Sequence, residues 1–143
     1  MVKIVIIDGQ GGRMGSHLVD KIKQTGITSQ VFAIGSNSIA TAAMLRAGAD
    51  FGATGENPVV VNSADADFIL GPIGILSADS LLGEITPGMA VAVGRSHAHK
   101  ILLPVNRCNC HVVGVVDSPL AVMIQQAVDV LTVLLAGKPE VPG

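Results

Sequence analysis

The sequence predicts an α/β fold of three layers, with a mostly parallel sheet of about five strands between two layers of helices. Three observations carry this. The apolar run from Val2 to Ile7 ends in Asp8-Gly9-Gln10-Gly11-Gly12-Arg13-Met14-Gly15, which reads as a buried strand, a glycine-rich turn and the opening of a helix. Short apolar runs then alternate with stretches of helical period. Two segments, Thr86-Pro87 and Ser118-Pro119, carry the cap-plus-proline signature of a helix start. Together these make the fold Rossmann-like.

The elements follow in order. Strand one is Val2 to Ile7. Helix one runs from about Gly12 to Thr25, with Met14, Leu18 and Ile22 on one face and Gly26 as its stop. Gln30 to Ile34 reads as strand two, followed by Gly35-Ser36-Asn37. Ser38 is placed to cap a second helix to about Ala47, which Gly48 ends. Within Gly52 to Ala66, Pro58-Val59-Val60-Val61 fits a short strand or one buried helical turn; Thr54 as a cap favours the helix. Asp67 to Leu70 is a buried strand leading into Gly71-Pro72-Ile73-Gly74. A long apolar loop with Ile75, Leu76, Leu81, Leu82 and Ile85 follows, then a helix from Thr86-Pro87 to about Arg95. Lys100 to Val105 and His111 to Val116 read as strands, and Ser118-Pro119 starts a final helix to about Ala136. The expected organisation is one domain over residues 1–136 and a frayed, proline-rich tail over 137–143.

Composition bounds the function. The chain has 143 residues, 49% hydrophobic and 14% charged, against about 25% charged in a typical soluble domain. So large a deficit points to a covered surface, and a homo-oligomer is the simplest cover. The final helix supports this, since its polar stripe is only Gln125, Gln126, Asp129 and Thr132. Those polar residues also disfavour a membrane span, and the first apolar run is too short for a signal-peptide core, so a cytoplasmic location is expected. With a net charge of −2, no Trp, no Tyr and three Phe, nucleic acid is not an expected partner. The lack of Tyr also removes the Tyr/Lys acid–base pair of many short-chain reductases. Cys108 and Cys110 are too close in sequence for a ready disulfide.

A glycine turn feeding a helix binds phosphate, because glycines admit an anion close to the backbone and the first helical N–H groups face it. Gly9, Gly11 and Gly15 depart from the usual G-x-G-x-x-G spacing. Read as G-x-x-G-R-M-G, Gly9 to Gly15 resembles the cofactor loop of dihydrodipicolinate reductases. That resemblance covers about the first twenty residues and implies that Gly9, Gly12, Arg13 and Gly15 contact the pyrophosphate of a nicotinamide cofactor. The reductases' paired-histidine motif and substrate domain have no counterpart here, so their reaction is not implied. Strand two lacks the terminal acid that holds ribose hydroxyls in dinucleotide sites, and Ser36 and Asn37 stand there as candidate partners of a 2′-phosphate or of a ligand without that ribose. Asp8 would repel phosphate there, so it turns away, or a cation neutralises it, or the ligand is not a dinucleotide; the plainer reading is that it caps loop N–H groups. The expected ligand is a nucleotide or other phosphorylated small molecule, with NAD(P) as one candidate cofactor. Its site is assigned to Gly9, Gln10, Gly11, Gly12, Arg13, Met14, Gly15, Ser36, Asn37, Gly71, Pro72, Asn106 and Arg107 at the carboxyl ends of the strands.

Arg107 is placed to pair with Asp8 or to bind the anionic part of a ligand. Glu84, at the end of the long apolar loop, is either a lid residue over the strand ends or a solvated charge favouring a helix dipole. Asp8, Glu84 and Cys108 are the candidates should the chain catalyse a reaction. Cys108-x-Cys110-His111 and His97-x-His99 suggest a second reading, metal or metallocofactor handling. The spacing opposes it, since C-x-C on a strand sends its side chains to opposite faces and structural zinc favours C-x₂-C; no metal ligands are assigned. A third reading is a non-catalytic oligomeric interaction subunit. His17 reads as a solvated histidine.

Asp8-Gly9-Gln10-Gly11-Gly12, Gly52-Ala53-Thr54-Gly55-Glu56-Asn57, Gly71-Pro72-Ile73-Gly74, Gly83-Glu84-Ile85-Thr86-Pro87 and Asn106-Arg107-Cys108 together resemble a family of short bacterial proteins of unassigned function. The resemblance spans almost the whole chain. It implies a Rossmann-like fold and no particular activity.

Overall fold

The computed structural model describes residues 1–105 and 109–137. Strand β1 (Val2–Asp8) is followed by α1 (Arg13–Gln24), β2 (Ser29–Gly35), α2 (Ser38–Arg46), β3 (Phe51–Thr54), α3 (Glu56–Ser63) and β4 (Phe68–Pro72). A short 3₁₀ turn (Ile73–Leu76), α4 (Pro87–Arg95), β5 (His99–Leu103) and α5 (Leu120–Leu135) complete it. The five strands form one parallel sheet in the order β3-β2-β1-β4-β5.

Both faces of the sheet are covered, and for that reason β1 is apolar at every position from Ile4 to Ile7 rather than alternating. Ile4 and Ile6 join Leu18, Ile22, Val31, Leu70, Ile124 and Leu131 beneath α1, α2 and α5. Val5 and Ile7 point the other way and join Ile34, Val59, Ile69, Met89 and Val93 beneath α3 and α4. The strand order reverses between β1 and β4, so their carboxyl ends, Asp8 and Pro72, flank the crevice where such sheets bind ligands.

Some local signals act as the sequence suggests. Thr86 accepts a hydrogen bond from Met89 N at 3.1 Å with Pro87 at the first helical position. Gly48, at φ 115°, ends α2, and Pro58-Val59-Val60-Val61 is helical. Other expectations are corrected. Asn37, not Ser38, caps α2, its side chain accepting from Ala40 N at 2.9 Å. Gly55 stands at the start of α3, and the Thr54 hydroxyl lies 2.7 Å from that of Thr41 instead. Ser118 caps nothing; α5 begins after Pro119 with no side-chain cap. His111 to Val116 is not a strand. Gly114 takes φ 87° inside the run, and Val113 is 99% exposed, so the segment turns without joining the sheet, although Gly114 to Val116 share a hollow with β5. The fifth strand is instead Phe51–Thr54 at the opposite edge, a four-residue piece with little β-forming signal. Gly52 leaves room there for Leu45, whose Cγ a Cβ would approach to 2.8 Å. Gly71 and Pro72 belong to β4 and not to the loop after it. Pro72 is tolerated because β1 pairs with β4 only as far as Leu70, leaving no ladder bond for its missing N–H.

Candidate functional site

The site grows from the end of β1. After Asp8 the chain turns through Gln10 at φ 51° and Gly12 at φ 71°, and Gly12 N donates to Gly9 O at 2.9 Å to close the turn. At Gly12 any other residue meets two obstacles. The left-handed backbone disfavours it, and its Cβ would stand 2.7 Å from Ala40 Cα. Gly15 lets α1 press onto its neighbours, since a Cβ would lie 2.5 Å from Met44 Sδ and 2.9 Å from Asp8 Cβ.

Asp8 turns back into this loop. Its Oδ1 accepts from Gly9 N at 2.8 Å and its Oδ2 from Gly15 N at 2.7 Å. The side chain is buried, and burial is the main force raising its pKa above 3.8. The Gly15 and Gly9 amides pull it down by less, and the nearby Glu84 charge adds to the rise. Asp8 is thus a cap for the loop, one of the two roles its position allowed.

Glu84 arrives from the other side. The segment after the 3₁₀ turn coils back through Leu81, Leu82 and Gly83, all left-handed at φ 54°, 57° and 86°. This tight reversal sets Leu81 over Gly9, within 3.1 Å of where a Gly9 Cβ would stand. It also brings Glu84 Oε1 to Gln10 N at 2.9 Å, Ser36 Oγ at 2.6 Å and Asn37 Nδ2 at 2.7 Å. Burial pushes the Glu84 pKa up, but hydrogen bonds from Ser36, Gln10 and Asn37 outweigh it and hold the carboxyl below its ordinary 4.5. Glu84 therefore ties the ends of β1 and β2 together, and Ser36 and Asn37 are committed to it. Asn37 Nδ2 also donates to Gln10 O at 2.9 Å.

On the far side of the loop lies a cleft of about 250 Å³, lined by Asp8 to Met14 with Val105 and Leu120 as its opposite wall. The amides of Gly11, Arg13 and Met14 donate to no group among the described residues. Arg13 is exposed and forms no ion pair among those residues. The cleft thus offers three unspent donors, one guanidinium and the positive end of α1.

The remaining sequence-assigned residues are dispersed. Gly71 admits the close approach of β4 to β1, its Cβ position lying 2.3 Å from Ile7 O; neither it nor Pro72 lines the cleft. Asn106, Arg107 and Cys108 lie outside the described residues, as does the tail beyond 137. Cys110, His111 and His17 are exposed, and His99 stacks on Phe68 with ring centroids 5.6 Å apart. Among the described residues no three His, Cys, Asp or Glu side chains converge as metal ligands. Two features were not read from the sequence. Leu120 and Val105 wall the cleft. Glu56 accepts a hydrogen bond from Thr86 Oγ1 and packs on Gly88, joining the starts of α3 and α4. The recurrence of Gly-Glu at 55–56 and 83–84 is the signal that pointed there.

Larger hollows lie elsewhere. Two of about 410 and 350 Å³ run along the β5–α5 face between mostly apolar side chains. A third, near 680 Å³, is a shallow depression beside Met1, His97 and His99. None gathers donors as the glycine loop does. No helix among the described residues is long and apolar enough to cross a membrane.

Residues 3–136 match the model of a family described as a domain of unknown function, DUF3842. The chain belongs to this family. No curated protein matches it. A dodecameric FMN-dependent UbiX-like decarboxylase from Escherichia coli O157:H7 is similar in overall layout, at a TM-score of 0.43 and 12% identity, over 97% of this chain and 96% of that one. The architecture of this DUF3842 chain rests on its own strand order and register, given above.

Proposed function

We propose that the chain binds the phosphate of a nucleotide-type small molecule in the cleft on the Asp8–Gly15 loop. The observation that carries this reading is the set of three unspent amides, of Gly11, Arg13 and Met14, lining an open cleft at the start of a helix. Backbone N–H groups there and the helix dipole favour an anion, and Arg13 supplies full positive charge. Asp8 turns both its oxygens to the loop amides of Gly9 and Gly15, which partly offset its charge toward an anion in the cleft. At about 250 Å³ the cleft is below the roughly 300–1,000 Å³ of a complete small-molecule site, so it holds one part of a ligand whose remainder extends along the strand ends.

The test is a thermal-shift panel of inorganic phosphate, adenine and other nucleotides, NAD and NADP. A ligand at one hundred times its dissociation constant adds about 2.7 kcal/mol of stability. Absence of a shift with every nucleotide tested overturns the reading.

We also propose that the chain self-associates through its β5–α5 face. Among the described residues the outer edge of β5 has no neighbouring strand, and Val130, Val133 and Leu134 stand beside it half-buried in the apolar hollows. Light scattering tests this, and a monomer at high concentration rejects it.

A further inference from the structure

We propose that Glu84 is the acceptor for a ribose diol in this same site, so that the ligand is a ribonucleotide with free 2′- and 3′-hydroxyls; the inference rests on the phosphate-binding reading above. In doubly wound sheets the sugar of a nucleotide lies at the carboxyl end of the second strand, where an acidic residue of that strand receives its hydroxyls. Here β2 ends in Gly35-Ser36-Asn37 and brings no acid of its own. The structure supplies one from elsewhere. Glu84 crosses from the segment after β4 and sets its carboxylate against Ser36 and Asn37, at that very strand end.

Its two oxygens are not equivalent. Oε1 receives Gln10 N, Ser36 Oγ and Asn37 Nδ2, while Oε2 accepts no hydrogen bond among the described residues. One oxygen is therefore an anchor and the other an open acceptor on a half-buried group. The three anchoring bonds fix the carboxylate before any ligand arrives, which lowers the ordering cost of binding. Gln10 links the two halves of the site, since it lines the cleft and its amide holds Glu84. The cleft and Glu84 lie on opposite sides of the loop, so a ligand using both passes over Gln10, with its phosphate in the cleft and its sugar at Glu84.

The same carboxylate disfavours a 2′-phosphate, because like charges in contact repel. Ser36 and Asn37, which in sequence suggested a 2′-phosphate site, direct their donors to Glu84 instead. The expected selectivity is therefore for the plain diol.

Titration calorimetry on the full chain with ADP, 2′-deoxyADP and adenosine 2′,5′-bisphosphate tests this, followed by the same series on Glu84→Gln. The wild type is expected to prefer ADP over 2′-deoxyADP by roughly ten- to hundredfold, as for hydrogen bonds to a charged group, and to bind the bisphosphate more weakly than ADP. In Glu84→Gln the ADP to 2′-deoxyADP ratio should fall to within about threefold. Equal binding of ADP and 2′-deoxyADP by the wild type overturns the inference and leaves the phosphate reading standing. So does a preference that survives in Glu84→Gln. A uniform gain for all three ligands in that variant also overturns it, since Glu84 would then be a latch that competes with ligands. If none of the three binds the wild type, the phosphate reading falls and the inference with it. If Glu84→Gln does not fold, the wild-type ratio alone decides.

Discussion

At the scale of single residues, the site is built from groups whose usual freedoms have been removed. Gly12 combines a left-handed backbone with contact on Ala40. Gly12→Ala is expected to cost roughly 2–4 kcal/mol, from the left-handed penalty and the displacement of α2. At this chain length that is a fall in melting temperature of about 10 °C, read by calorimetry; an unchanged melt would refute the packing described. The two carboxylates of the site act oppositely on stability. Asp8, with its folded pKa raised, opposes folding more as the pH rises from 3.8 through its folded value. Glu84, with its folded pKa lowered, contributes stability fully above 4.5 and loses it as the pH falls through its folded value. Wild type should therefore be more stable than Glu84→Gln at neutral pH, and acid melts of the pair should converge below pH 4.5. A gap that stays constant with pH would show that Glu84 contributes nothing through its charge.

At the scale of elements, what was legible in the sequence is what neighbours in sequence decide. The run from Val2 to Gly15 read as strand, turn and helix because each step is local, and Thr86-Pro87 started its helix for the same reason. Long-range choices were hidden. Phe51–Thr54 is a strand because the edge of β2 is free to receive it, and nothing in four weakly β-forming residues announces that. His111 to Val116 has the stronger strand composition, yet its chain turns at Gly114 and does not pair with β5. The site divides in the same way. The glycine loop was visible as a loop, but the partner of Ser36 and Asn37 is 48 and 47 residues away in sequence, beyond the reach of pattern. Asp8 allowed two readings, and the fold selects the cap. In the proposed ligand site the first turn of α1 provides a direct check. Arg13→Ala should leave the melt within about 0.5 kcal/mol, as for an exposed residue. It should weaken nucleotide binding by roughly ten- to a hundredfold, the loss of one charge-assisted contact. Unaltered affinity in a calorimetric titration would remove Arg13 from the site.

For the whole molecule, the sheet order puts the carboxyl ends of β1 and β2 near its middle and leaves β5 at one margin. The apolar hollows beside β5 and α5 belong to that margin. Val133 lines one of these hollows from a half-buried position. If the chain self-associates as proposed, Val133→Glu should lower the mass seen by light scattering to that of one 14.5 kDa chain, while the melt of the isolated chain changes little. An unchanged mass would place the contact on another face.

The central position of β1 has a consequence for synthesis. It is made well before its neighbour β4, so one of its two flanks stays open until residues 68–72 have been made. Through that interval a nascent chain presents Ile4 to Ile6 as an unpaired, water-averse ribbon to whatever is nearby. Slow translation between α1 and β4 should therefore favour clumping of newborn chains, and a chaperone that shields short aliphatic stretches should raise the yield of folded protein.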